Sequence, residues 1–278
     1  MTYYGKIILI VYERHEMAVN IVLSQREYNV VGTRPVRHDG VDKVTGRAKY
    51  GGDFTTSGLL FGKVLRSPHA HAIIESINTE KAEKLEGVIS IVTAEDLPVS
   101  SMTKPSRSLV LESNNILADK KVLYKGHAIA AVCAANSHVA EEAIGLIEVK
   151  YKVLDPVIDV RDAMKKDAPL LHDDLTTREL GEDSGVISNV AAHLQYSLGD
   201  IQKGFAEADI IVEEEFDTCT VHQGYIEPHN ATSFWNSDGH ITVWCSTQGS
   251  FTAREKIAKV LDIPVSQVTV VPMEIGGG

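Results

Sequence analysis

Short apolar runs, each bounded by turn or helix-start residues, constrain what this chain can fold into. None of the runs approaches the roughly 20 residues that a membrane-spanning helix needs. Their length and their content of Val and Ile predict strands at residues 59–66, 73–77, 88–92, 128–134, 148–153, 210–220, 231–235, 241–246 and 268–272. Helix-start signals lie between several of these strands, so the pattern predicts an α+β fold.

The predicted helices begin at residues that commonly cap helix N-termini. Thr79 and Ser137 are predicted N-caps, and residues 93–96 (Thr-Ala-Glu-Asp) predict a third helix start. A last helix is predicted from apolar residues spaced along one face after residue 251, with Thr252 and Glu255 as a capping box. Between two strands, residues 236–239 (Asn-Ser-Asp-Gly) predict a hairpin turn.

Length and charge limit the classes of protein to consider. A chain of 278 residues suggests about two domains and needs no metal or disulfide to fold. The formal charge of −11, from 27 basic and 38 acidic residues, argues against a nucleic-acid binder and against an anionic membrane surface as partner. We therefore expect neither nucleic acid nor a membrane span.

The three cysteines are far apart in the sequence. Cys133, Cys219 and Cys245 form no CxxC pair, and three thiolates are too few for a zinc ribbon or an iron–sulfur cluster held by this chain alone. Each lies in an apolar, strand-like context, which predicts a small buried side chain. A reducing, cytoplasmic setting is therefore expected.

Two groups of potential metal ligands occur. His222, Glu227 and His229 are spaced H-x4-E-x-H, and the proline between the last two excludes an ordinary helix, so a loop whose polar groups bond the backbone is the favoured interpretation. His69 and His71 could share one face of a strand, but two imidazoles alone make a weak site. We predict no metal ligand in this chain.

The two ends and one internal segment stand apart from the predicted elements. Residues 1–29 are predicted to be an N-terminal extension without an export signal, either a mis-assigned start before Met17 or an edge strand. Residues 156–195, rich in turn and acidic residues, predict a linker. Gly276-Gly277-Gly278 could be a flexible tail or a loop that lets backbone approach a ligand. The residues alone do not decide between an enzyme fragment and a binding module.

Five stretches in order resemble one family over about 250 residues. They include GVDKVTGRAKYGGDF near residue 50, SPHAHA, VHQGYIEPHNATSFW and the final EIGGG, and they span residues 30–54, 62–98, 124–154, 221–235 and 244–278. Together they resemble the molybdopterin-binding large subunit of the xanthine dehydrogenase/aldehyde oxidase family.

The resemblance implies a fold and a domain order. It implies an α/β-hammerhead domain at residues 30–155, the linker at 156–195 and an incomplete, strand-rich start of the molybdopterin-binding domain at 196–278. In that family the polypeptide continues for several hundred residues, so the chain is expected to be a component that is inactive alone. The alternative is a non-catalytic hammerhead interaction module or a truncated remnant.

The resemblance also implies a cofactor and partners. A molybdenum–pyranopterin dinucleotide would oxidise an aldehyde, an N-heterocycle or a similar substrate with water-derived oxygen. [2Fe–2S] clusters and FAD would lie on partner subunits, and a further chain would supply the rest of the molybdenum subunit. Gln248 matches the amide that approaches a molybdenum oxygen ligand, and Gly277 and Gly278 match the loop beside the cofactor. The family's catalytic glutamate matches no residue here, so we predict no catalytic residue.

Overall fold

The structure is a computed structural model that describes the backbone of Gly5–Val11 and residues 28–277. The strands are β1 (Gly5–Val11), β2 (Phe61–Arg66), β3 (Ala72–Asn78), β4 (Val88–Thr93), β5 (Lys121–Val122), β6 (Ala128–Ala134), β7 (Glu148–Val153), β8 (Thr176–Glu179), β9 (Glu182–Ile187), β10 (Ala192–His193), β11 (Ile210–Phe216), β12 (Ala231–Trp235), β13 (Ile241–Cys245) and β14 (Val268–Pro272). The α-helices are α1 (Gly40–Thr45), α2 (Glu80–Glu83), α3 (Arg107–Ile116), α4 (Ser137–Leu146), α5 (Val160–Ala163), α6 (Ile201–Glu207) and α7 (Ser250–Val260).

The elements form two compact units, and contacts rather than chain order define them. One unit contains the described residues up to Ala48 together with Asp174–Gly224, and the other contains Lys49–Asp173 and Tyr225–Gly278. In the first unit, β1 pairs antiparallel with β11, and β8 lies between β9 and β10. Domain boundaries along the chain at 30–155, 156–195 and 196–278 stay a prediction.

The second unit begins with two three-stranded antiparallel sheets, ordered β2-β6-β4 and β5-β3-β7. Small side chains let α2 and α4 approach the first sheet closely, because Ala82, Ala130 and Ala143 are fully buried in one cluster. A second cluster surrounds Val122 and Ile129. Since β6 contributes to both clusters, its nearly continuous apolar run is explained by burial on both faces.

A third sheet, ordered β12-β13-β14, completes the second unit. The pair β12–β13 is the predicted antiparallel hairpin, whereas β13 and β14 are parallel and are connected through α7. Helix α7 buries Ala258 and Val260. Its Lys259 Nζ lies 2.9 Å from Glu112 Oε1 of α3, so α7 also contacts the first part of the unit.

Most of the predicted strands are confirmed, with β14 matching residue for residue. Thr79 is the N-cap of α2 as predicted, and residues 94–96 form a short 3-10 helix capped by Thr93. The strand predicted over 210–220 ends at Phe216.

Three local predictions are wrong. Asn136, not Ser137, caps α4, because the Asn136 side chain accepts bonds from the amides of residues 138 and 139. Helix α7 begins at Ser250 after Gly249, so Thr252 is not an N-cap. Cys219 is exposed beyond the end of β11, whereas Cys133 and Cys245 are partly buried within strands.

The segment predicted as a linker contains regular structure. Residues 156–195 include α5 and the strands β8, β9 and β10. Residues 5–11, within the predicted N-terminal extension, form a strand, which favours the edge-strand alternative. Over the described residues, no helix is long and apolar enough to cross a membrane.

Candidate functional site

The candidate site lies where two parallel strands end. Cys245 of β13 pairs with Pro272 of β14, and the Met273 amide donates to the Cys245 carbonyl at 2.9 Å. The Ser246 hydroxyl lies 2.8 Å from the Glu274 carbonyl oxygen. Because parallel strands end on the same edge, the segments that follow β13 and β14 leave the sheet together, which is where ligands commonly bind.

Gln248 lies in the first of these segments, between β13 and α7. Its side chain is exposed. The next residue, Gly249, is the N-cap of α7 and has no side chain to cap the helix. Within the described part of the chain, the helix therefore begins with first-turn amides that no side chain caps. Such a helix start attracts anionic or oxygen-rich ligands.

The second segment, after β14, contains the glycines and lies tightly against the loop before β12. A Cβ on Gly276 would lie 2.6 Å from the Cβ of Glu227, and one on Gly277 would lie 2.2 Å from the Cβ of Tyr225. Gly277 also has a φ of 151°, which side chains rarely permit. Only glycine fits these two positions without a shift of the loop.

Glu227 connects the two segments through hydrogen bonds. Its Oε2 accepts from the Gly276 amide at 2.7 Å, and its Oε1 accepts from the Ser246 hydroxyl at 2.6 Å and the Gly51 amide at 3.3 Å. The Ser246 hydroxyl above all, with both amides and nearby His229, holds the pKa of Glu227 below its ordinary value against the opposing effect of burial. At neutral pH the carboxylate is therefore ionised, and both of its oxygens accept hydrogen bonds.

A turn after α1 closes this cluster from a third direction. Tyr50 forms a parallel bridge with Glu274, whose amide donates to the Lys49 carbonyl at 3.1 Å. Phe54 stacks on Trp244 of β13 with ring centroids 4.4 Å apart. The 49–54 segment is thereby fixed beside the strand ends.

The structure does not bring the potential metal ligands together. Glu227 bonds backbone amides and a hydroxyl, as the loop interpretation predicted, while the Tyr225 hydroxyl lies 3.1 Å from a ring nitrogen of His229. His69 and His71 lie in the loop between β2 and β3, not on a strand. His71 Nδ1 donates to the Asp155 carbonyl at 2.8 Å. Among the described residues, no group of three or more His, Cys, Asp or Glu side chains could hold a metal ion.

The sequence indicated Gln248 and Gly277 as cofactor contacts, and both follow the ends of adjacent strands. Gly278 lies outside the described residues. The donor set near Gln248, a neutral amide beside uncapped helix amides, fits an anionic ligand rich in oxygen. The role of Glu227 was not predicted from the sequence. In the sequence, Glu227 is marked only by the proline beside it in a predicted loop and by the glycines later in the chain that could contact it.

Comparison with known proteins identifies the class to which this fold and site belong. Residues 45–155 match the family "Aldehyde oxidase and xanthine dehydrogenase, a/b hammerhead domain", and residues 183–278 match "Molybdopterin cofactor-binding domain". The chain belongs to the aldehyde oxidase and xanthine dehydrogenase family, as its sequence resemblance implied.

Individual relatives have several activities. The chain is 35% identical over 242 residues to a probable xanthine dehydrogenase subunit of Bacillus subtilis (strain 168), covering 87% of this chain and 30% of that protein. It is 30% identical over 253 residues to "Nicotinate dehydrogenase large molybdopterin subunit" of Eubacterium barkeri, covering 91% and 56%. The solved structure "Reconstituted CO dehydrogenase from Oligotropha carboxidovorans" is 30% identical with a TM-score of 0.72, covering 89% of this chain and 31% of that one.

The matches cover only part of the length of each relative. The chain spans about a third to a little over half of the length of these proteins. The family and the architecture are thus established, whereas the activity of a whole enzyme is a separate question.

Proposed function

We propose that this chain supplies the hammerhead domain and the first part of the cofactor-binding domain of a molybdenum hydroxylase. The observation that supports the proposal is that Gln248 and the uncapped start of α7 follow β13, while Gly276 and Gly277 follow its parallel neighbour β14. Such an arrangement suits a molybdenum–pyranopterin dinucleotide, which presents phosphate and other oxygen atoms.

Each residue has a distinct task in this proposal. The Gln248 amide donates a hydrogen bond to an oxygen of the cofactor without adding charge. The first-turn amides of α7 stabilise negative charge. Gly277 and Gly278 let backbone approach the cofactor where a side chain would intervene.

The bound cofactor would supply the redox chemistry that oxidises an aldehyde, an N-heterocycle or a related small molecule with oxygen derived from water. The contribution of this chain is to bind the cofactor, orient it and polarise it. The family's catalytic glutamate matches no residue of this chain, so the catalytic base would come from other polypeptide.

The proposed partners are suggested by the relatives, which are named as subunits. We propose that a further polypeptide completes the molybdenum subunit, that one partner subunit carries [2Fe–2S] clusters, and that another carries FAD. The complex would work in the cytoplasm. Alone, the chain would be inactive.

The test compares Gln248→Ala with wild type in the complex assembled with these partners under molybdenum supply. Molybdenum is measured by elemental analysis and pterin by fluorescence after release. We expect turnover to fall by about 10²–10³-fold, because one donor aimed at developing charge is lost. Thermal unfolding should be unchanged.

The control is Gln202→Ala, which removes an exposed glutamine on α6. It should leave molybdenum content and turnover at the wild-type level. A wild-type complex that assembles without molybdenum or pterin would contradict the proposal and favour the non-catalytic interaction module.

A further inference from the structure

One carboxylate holds the glycine segment in place. We infer that Glu227 is a positioning residue that fixes the backbone of Gly276 and Gly277 at the proposed cofactor site. What the segment binds rests on the proposed function. The role of Glu227 rests on contacts within this chain.

Glu227 accepts hydrogen bonds from three separate parts of the chain. Gly276 follows β14, Ser246 follows β13, and Gly51 lies in the turn at residues 51–53. No other described side chain accepts from the Gly276 amide. Loss of the carboxylate would therefore remove the link through which the Gly276 amide is tied to Ser246 and to Gly51.

The glycine segment and the loop that carries Glu227 are also in close steric contact. The Gly276 amide reaches the carboxylate only because the glycine backbone lies directly on the loop of Tyr225 and Glu227, where a Cβ would approach within 2.6 Å of the Glu227 Cβ and 2.2 Å of the Tyr225 Cβ. Glycine identity at 276 and 277 is thus explained by contact with this loop.

The carboxylate of Glu227 offers acceptors that the amide of a glutamine would not. Both carboxylate oxygens accept hydrogen bonds, one from Gly276 and the other from Ser246 and Gly51. A glutamine of the same shape has a single acceptor oxygen, and its amide group would face an N–H donor. Glu227→Gln therefore removes part of the network while it preserves the volume of the side chain.

The experiment follows the glycine amides directly. The full chain, labelled with ¹⁵N-glycine, is examined by amide hydrogen exchange in its wild-type and Glu227→Gln forms. Hydrogen bonds to charged groups are the strong ones, so we expect Gly276 to lose protection by roughly 10- to 100-fold, with Gly51 changing in the same direction. Gly145 on α4 is an internal reference that should not change.

Two controls separate positioning from general destabilisation. Glu255→Gln replaces an exposed glutamate of α7 and should leave Gly276 unchanged. Ile129→Ala lowers stability through the core of the two antiparallel sheets, and it too should leave Gly276 protected under native conditions. If Glu227→Gln does not fold, Ser246→Ala removes one donor to the carboxylate and should reduce Gly276 protection several-fold.

A second readout links the inference to the cofactor. In the assembled complex, Glu227→Gln should retain less pterin than Ile129→Ala at equal thermal stability. Equal Gly276 exchange in wild type and Glu227→Gln would overturn the positioning role whatever the cofactor content. Faster Gly276 exchange in Glu227→Gln, together with a wild-type complex that holds no pterin, would instead contradict the proposed function alone.

Discussion

Glu227 precedes β12 and Gln248 follows β13, two strands whose ends pair, but the two side chains have different relations to the backbone. Glu227 accepts from two amides and a hydroxyl, whereas Gln248 is exposed after β13. A side chain whose hydrogen bonds are formed within the chain can hold the backbone of a site in place. An exposed polar side chain at a strand end can instead contact a ligand. This difference assigns positioning to Glu227 and contact to Gln248.

His127 carries a prediction for the pH dependence of stability. The ring is buried, its Nδ1 accepts from the Leu123 amide at 3.2 Å, and its Nε2 therefore donates to the Asn114 carbonyl at 2.7 Å. Burial lowers the pKa of His127, so the folded chain keeps the ring neutral. In the unfolded chain the ring gains a proton below about pH 6.5.

Below about pH 6.5 the unfolded state binds more protons than the folded state, so the free energy of unfolding should fall as the pH drops. The fall should extend from about pH 6.5 through the lowered pKa of the folded state, at up to about 1.4 kcal/mol per pH unit. Urea unfolding at pH 7.5, 6.5 and 5.5 measures this slope. His127→Gln should flatten it, whereas His138→Gln, at an exposed position of α4, should not. Equal slopes in wild type and His127→Gln would contradict the assignment.

Residue identities at the site could be predicted only in part. Gln248 and Gly277 came from resemblance to a family, since a glutamine after a strand has no distinctive pattern of its own. The tie between Glu227 and Gly276 joins residues 49 positions apart, and no local periodicity encodes such a contact.

Individual helices and strands were predictable where a local rule decides them. The hairpin of β12 and β13 follows from its Asn-Ser-Asp-Gly turn, and β6 follows from an apolar run with no competing pattern. Helix α3 was missed because only Leu109 and Ser113 are buried along its length, which leaves too narrow an apolar stripe. Strands as short as β10 depend on their partners and have no signal of their own.

The N-cap of α4 gives a prediction for an element. Asn136 Oδ1 accepts from the amides of His138 and Val139 at 3.0 and 2.9 Å. Asn136→Ala should reduce the free energy of unfolding by about 0.5–2 kcal/mol, because both amides lose their acceptor. Asn136→Asp keeps an acceptor and should cost much less. Urea denaturation compares them, and equal stability of Asn136→Ala and wild type would contradict the cap.

Across the whole molecule, contacts group the chain differently from its sequence order. Tyr225–Gly278 belongs to the same compact unit as Lys49–Asp173, held by the Glu227 cluster, the Phe54–Trp244 stack and the Lys259–Glu112 pair. The sequence pattern could not predict this grouping, because linear composition shifts mark linkers but not which segments later pack together.

The same unit has large apolar side chains that are exposed to solvent. Phe251 of α7 is 75% exposed, and Phe234 and Trp235 of β12 are 60% and 57% exposed. Under the proposed function, we predict that the further polypeptide of the molybdenum subunit would cover them. Phe251→Ser should weaken copurification of that polypeptide without lowering the stability of the isolated chain. Undiminished copurification would contradict this placement.

The structure of the chain in complex with the proposed further polypeptide would show whether the ends of β13 and β14 hold a molybdenum cofactor. The account predicts that the Gln248 side-chain amide lies about 3 Å from an oxygen of the cofactor, with the Gly276–Gly277 backbone along its edge. A cofactor bound elsewhere in the complex, with Gln248 facing solvent, would contradict the account.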